Sequence, residues 1–122
     1  MENNNSNNLI PVVSYSNADK YKFIIYEENR NKSGIYRWNN LVTGYSYVGS
    51  AVNLTNRLKK YFSLRFLKRA VLKYRSRINT SLLKYGYNKF SLDILEYSEP
   101  NVLIKREQYY LDILKPKYNI LK

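Results

Sequence analysis

The chain contains neither cysteine nor histidine. Without cysteine there is no disulfide framework and no zinc–thiolate centre. Without histidine, imidazole bases, Ser-His triads and most transition-metal sites are excluded together. Any catalysis must use Tyr, Lys, Arg, Asp, Glu or a hard cation held by oxygen. Acids are also scarce: 9 Asp and Glu stand against 21 Lys and Arg, for a net charge of +12 over 122 residues. Such an excess favours polyanions, nucleic acid first and anionic membrane second. No apolar run approaches the roughly 18 residues of a spanning helix. The polar, Asn-rich start has neither the apolar stretch of a secretory signal nor the Arg-rich amphipathic pattern of a transit peptide. A chain of this length forms one domain with one modest core. The abundance of Asn, Lys, Tyr and Ile reflects A- and T-rich coding and says little about chemistry.

Two tripeptides, Gly34-Ile35-Tyr36 and Tyr47-Val48-Gly49, lie in short runs of alternating side chains. Between them stand Asn39-Asn40 and Thr43-Gly44, good turn formers, so the segment reads as a hairpin. Alternation places Tyr36 with Trp38 on one face of the first strand, and Tyr45 with Tyr47 on one face of the second. Alone, this pattern is equally that of ordinary cross-strand packing, because Tyr is a good strand residue. Residues 1–16 show no period and read as a partly disordered leader. Residues 21–26 form a short apolar patch compatible with a strand or a helical turn. The ordered core is expected to begin near Ser33.

Asn53 is placed to cap a helix in which Leu54, Leu58, Tyr61 and Phe62 share a face and Arg57 neighbours Tyr61. From there to residue 77 the chain carries Arg57, Lys59, Lys60, Arg65, Lys68, Arg69, Lys73, Arg75 and Arg77, and no acid. Aromatic residues are interleaved. A solvated helix normally mixes signs, so such a run is self-repelling unless phosphate lies beside it. A further helix is expected over 78–85, closed by Gly86, and a third strand over 90–97. Pro100 then opens a helix that Pro116 ends, with Tyr118-Asn119-Ile120 as a short extended tail. Hairpin, helices, strand and helix together indicate an α+β fold: a small, mainly antiparallel sheet flanked by helices.

In the last long helix, Leu103, Ile104, Tyr110, Leu111 and Leu114 fall on one stripe, with Glu107 in its middle. A carboxylate on a core-facing stripe is costly unless paired or bound to a cation. The basic run upstream offers partners for an ion pair, and a cation would serve equally.

Taken together, the two tripeptides, Arg57, the surroundings of Glu107 (Arg106-Glu107-Gln108-Tyr109-Tyr110) and the closing Pro116-Lys117-Tyr118-Asn119-Ile120 resemble the GIY-YIG nuclease family. The resemblance covers residues 32–122, expected to be the nuclease domain, with residues 1–31 as the leader. It is nearest to nuclease domains of homing endonucleases encoded in fungal mitochondrial group I introns, which implies a mitochondrial location. It implies a central three-stranded sheet flanked by helices. It also implies a metal-dependent endodeoxyribonuclease with Glu107 as the sole protein ligand of Mg2+ or Mn2+, and no other small-molecule cofactor. Val48 stands where Ile is usual, and the absence of His narrows the base to a tyrosine.

Under that resemblance each residue acquires a role. Arg57 would lie against the scissile phosphate, where a guanidinium donates two hydrogen bonds. Tyr36 is the first candidate for the base and Tyr47 the second, their pKa values lowered by Arg57, Lys59 or Lys60. Tyr61, where relatives carry His or Tyr, would orient water or phosphate. Gly34, Gly49, Ser50 and Asn119 would support the site, and Lys59, Lys60, Arg65, Lys68, Arg69, Lys73, Arg75 and Arg77 would contact DNA. The partners implied are DNA and, for an alternative splicing role, intron RNA; no membrane is implied. Two other readings stand beside the homing endonuclease: a non-catalytic protein assisting intron RNA splicing, and a repair or junction nuclease of the same family. The chain stops just past Asn119, without the separate DNA-binding region of such enzymes, so modest sequence preference is expected.

Overall fold

The computed structural model describes residues 9–121. A four-stranded antiparallel sheet runs in the order β1-β4-β2-β3. Its strands are β1 (Val13–Tyr15), β2 (Gly34–Asn40), β3 (Ser46–Ala51) and β4 (Phe90–Tyr97). Six helices flank it: α1 (Lys22–Glu28), α2 (Leu54–Tyr61), α3 (Leu64–Tyr74), α4 (Arg77–Tyr85), α5 (Leu103–Leu114) and α6 (Lys117–Ile120). The α+β expectation holds, with one strand more than the three foreseen. None of the helices is long and apolar enough to cross a membrane.

The hairpin forms as its residues dictate. The Asn40 side chain accepts from Val42 N–H and Thr43 N–H, and Gly44 takes a φ of 80° that favours glycine. Register then sets Tyr36 opposite Gly49 and Trp38 opposite Tyr47. Alternation divides the sheet. Tyr36, Trp38, Leu92 and Ile94 face a core completed by Ile25, Leu54, Leu58, Leu67, Ile78 and Leu82 from the first four helices. Ile35, Val48 and Leu95 face the other way, against Leu103 and Tyr110 of α5. Burying each large side chain contributes about 1.5–3 kcal/mol relative to exposure.

Several expectations are corrected. Residues 13–15, read as part of a patternless leader, form β1, and the apolar patch beyond them is helix α1. The strand is held by a contact invisible in sequence. Ser14 donates its hydroxyl to Asp93, a buried carboxylate that also accepts from Arg37 (2.8 and 2.9 Å) and Asn39 (2.8 Å). The leader reading over 1–8 lies outside the described residues. The basic run is three helices, because Ser63 and Ser76 cap new starts by accepting from Phe66 N–H and Asn79 N–H. Tyr45 lies in the hairpin loop rather than on β3, edge-on to Tyr118. Ile104 is 79 % exposed; the stripe that α5 buries or half-buries runs through 103, 107, 110, 111 and 114. The tail is helical, since Lys117–Ile120 makes one turn that brings Tyr118 and Asn119 back to the hairpin.

Helix α3 ends on Arg75 at φ 53°, a left-handed position that glycine occupies without a Cβ clash. Arg75→Gly should therefore raise stability by about 0.5–1 kcal/mol, seen as a higher urea midpoint; a lower midpoint would show that the arginine is not strained there.

Candidate active site

Strand β2 ends its glycine-led run on Tyr36, and α2 ends on Tyr61. Their hydroxyls meet at 2.7 Å, and both residues are buried. The rings are edge-to-face at 5.8 Å, and Trp38 backs Tyr61 at 5.5 Å. Tyr87 fixes the end of α2 by donating its hydroxyl to the Tyr61 carbonyl at 2.6 Å. Gly49 makes room for the pair: a Cβ there would stand 2.5 Å from the Tyr36 hydroxyl oxygen. Tyr47, two residues earlier on the same face, is only half-buried. Arg57, one turn before Tyr61 on α2, is exposed, yet its guanidinium is close enough to favour the ionised form of both Tyr36 and Tyr47.

The electrostatic balance differs from the sequence expectation. Burial pushes the Tyr36 hydroxyl well above the usual tyrosine value, and Tyr61 and Arg57 offset only part of that. Tyr47 is also raised, by burial and then by the charge of Glu107. Tyr61 is raised well above its ordinary value by burial and then by the neighbouring tyrosines. Desolvation thus outweighs the single cation near these hydroxyls. Lys59 and Lys60, expected to help, sit over the rings of Tyr26 and Phe66 instead. In the free chain the tyrosines are neutral hydrogen-bonding groups at physiological pH.

Glu107 approaches from the other side of the edge strand. Its carboxylate accepts the Ser50 hydroxyl, and its charge reaches Tyr47. Neither Glu107 nor Arg57 forms an ion pair among the described residues. The site therefore wraps around β3, with tyrosines and guanidinium on one face and the carboxylate on the other. Asn119 holds that strand in place. It accepts from Val48 N–H at 2.9 Å and donates to the Val48 carbonyl at 3.0 Å, so the free edge is paired between Tyr47 and Gly49. Gly34 lies outside this cluster: a Cβ there would meet the Glu96 carbonyl oxygen at 2.4 Å, so its role is in the sheet.

The basic residues separate into groups. Lys59, Lys60, Arg65 and Arg69 line one cavity, and Arg75 and Arg77 line another; Lys68 and Lys73 project elsewhere, exposed. One cluster that positions the site is not foreseen from the sequence. Arg106 grips Glu96 through two bonds of 2.7 and 2.8 Å, and the Tyr110 hydroxyl donates to the same carboxylate at 2.8 Å. The Arg106 bonds hold Glu96 below its ordinary pKa. This cluster fastens α5 to β4 one residue from Glu107. Its only signal in sequence was an i, i+4 pair, Arg106 and Tyr110, on the helix that carries Glu107.

A family profile for the GIY-YIG catalytic domain matches residues 32–119. Among solved structures, the catalytic domain of homing endonuclease I-TevI is similar at 31% identity and a TM-score of 0.57, over 75% of this chain and 100% of that one. A glutamate-to-alanine mutant of the catalytic domain of intron endonuclease I-TevI is similar at the same identity and TM-score of 31% and 0.57, over 72% and 89%.

Gly49→Ala should push Tyr36 off Tyr61. The expected result is a stability loss of about 1–3 kcal/mol, typical of overpacking, together with a larger relative loss of DNA cleavage. Full activity at an unchanged urea midpoint would show that the contact does not shape the site.

Proposed function

The chain belongs to the GIY-YIG catalytic-domain family and is an endonuclease, and from that premise we propose that it hydrolyses DNA phosphodiester bonds at the β3 edge with a single metal. The observation that carries this is that an exposed Arg57 and a half-buried Glu107, neither neutralised by another charge among the described residues, both act on the hydroxyl of Tyr47 beside the buried tyrosine pair.

The residues present fit a hard divalent cation. Glu107 offers a carboxylate whose described partner is a hydroxyl donor, leaving its second oxygen for a ligand. Among the described residues no three His, Cys, Asp or Glu cluster together, which suits one cation that keeps much of its hydration, Mg2+ or Mn2+. Bound there, such an ion supplies charge stabilisation at the phosphate and at the departing oxygen.

The remaining chemistry belongs to side chains. Arg57 donates to the non-bridging oxygens of the scissile phosphate and holds the strand in register. The hydroxyls of Tyr36 and Tyr61 fix one another, so Tyr36 holds its oxygen in one orientation. Tyr47 lies beside it, within electrostatic reach of both Arg57 and Glu107. The proton acceptor is one of these two hairpin tyrosines. Its raised pKa makes it scarce as tyrosinate but strongly basic once formed. The finer reading, a catalytic module of the intron homing type, is supported by the likeness to the whole I-TevI catalytic domain.

Wild-type protein should nick supercoiled plasmid with Mg2+ and stop in EDTA. Glu107→Gln and Arg57→Gln should each slow nicking by about 100-fold or more, at an unchanged urea midpoint. Wild-type rates in both variants, or no nicking by the wild type, would refute the proposal.

A further inference from the structure

At the α2–α3 junction an open surface cavity of about 390 Å³ is lined by Lys59, Lys60, Ser63, Arg65, Phe66 and Arg69, its four cations exposed. Four of the six carry positive charge, and none is acidic. Arg65 and Arg69 are four apart on α3, a spacing at which like charges repel. None of the four cations is in an ion pair among the described residues. The cluster thus lowers the stability of the free chain, and an anion in the cavity would relieve it.

The lining also says which anion. Ser63 accepts from Phe66 N–H to cap α3, so its oxygen is already engaged. The other polar side chains are donors without acceptor capacity. A base edge presents donors as well as acceptors in the major groove, whereas a phosphodiester presents acceptors alone. Phe66 forms an apolar wall, with the Lys60 ammonium 6.0 Å from its ring centroid.

Position ties the cavity to the reaction. Lys60 follows Arg57 by three residues on α2, about 4.5 Å along the helix axis. That offset is less than one helical turn, so the long Arg57 and Lys60 side chains can reach neighbouring phosphates of one strand. Resting on the nuclease reading above, we propose that this cavity is a second phosphate subsite. It grips the backbone of the cleaved strand one or two nucleotides from the scissile phosphate, without reading sequence. Arg57 then acts on a phosphate whose neighbour is already clamped.

The test is the salt dependence of duplex binding in EDTA, where no cleavage occurs, followed by fluorescence anisotropy across KCl concentrations. Each phosphate contact contributes about 0.9 to the slope of log Kobs against log salt. Arg65→Gln/Arg69→Gln should lower the magnitude of that slope by about one and weaken binding by about tenfold near 0.1 M salt. Lys68→Gln/Lys73→Gln removes equal charge from the same helix outside the cavity and should change the slope by less than half as much. Arg69→Gln alone should show the same direction and covers the case of a poorly folded double variant. Equal changes in the two pairs would overturn the subsite, leaving only net charge. A difference between the pairs in a protein that never nicks plasmid would keep the subsite and remove the nuclease reading instead.

Discussion

The contact on which the site depends is the 2.7 Å hydrogen bond between the hydroxyls of Tyr36 and Tyr61. It joins the central strand to the end of α2 inside the core. It requires the bare backbone of Gly49 opposite Tyr36, where any Cβ would collide with the ring and its oxygen. It also fixes the helix that carries Arg57 one turn earlier. Hairpin, basic helix and guanidinium are therefore a single mechanical unit. The same burial that makes the contact rigid raises both hydroxyls above their ordinary pKa. A site built this way gains orientation and gives up easy ionisation.

A second constraint is the scarcity of acids. Several of those described are committed to structure. Asp93 gathers donors from Ser14, Arg37 and Asn39; Glu96 is held by Arg106 and Tyr110; Glu28 accepts from Tyr15. Each ties two elements together. Glu107 differs, because its described partner is a single hydroxyl on the edge strand. In a chain of net charge +12, a half-buried carboxylate without an ion-pair partner among the described residues stands out, and a cation is the partner such a group suits. Lys59, Lys60, Arg65, Arg69, Arg75 and Arg77 are distributed in the complementary way: they line surface depressions at α2, α3 and α4, and among the described residues none of them pairs with an acid.

Much of this was legible in the sequence, for local reasons. The hairpin, the Asn53 cap, the Gly86 stop and the unusual place of Glu107 all follow from turn chemistry and periodicity. What escaped depended on distant partners. Strand β1 is three residues long and exists because Ser14 and the backbone around it meet β4, some eighty positions away. The last turn was read as extended because Pro116 ends α5. It folds into a helix that brings Tyr118 to Asn40 and Asn119 to Val48. Ile104 belonged to the apolar stripe by angle alone but lies one residue off the line that meets the sheet. The tyrosine pKa runs opposite to the sequence expectation: the sequence displays nearby cations, whereas burial, the larger effect, is a property of the fold.

We propose that a hairpin tyrosine, Tyr36 or Tyr47, accepts the proton from water. Its pKa lies above the ordinary 10 in the free chain, so below that pH the basic form is the minor one. The single-turnover cleavage rate measured against pH tests this most directly. The wild-type rate should climb about tenfold per unit between roughly pH 7 and 9.5 without levelling, and Tyr36→Phe or Tyr47→Phe should abolish the climb. A wild-type plateau below pH 8, or the full climb retained in both variants, would contradict it.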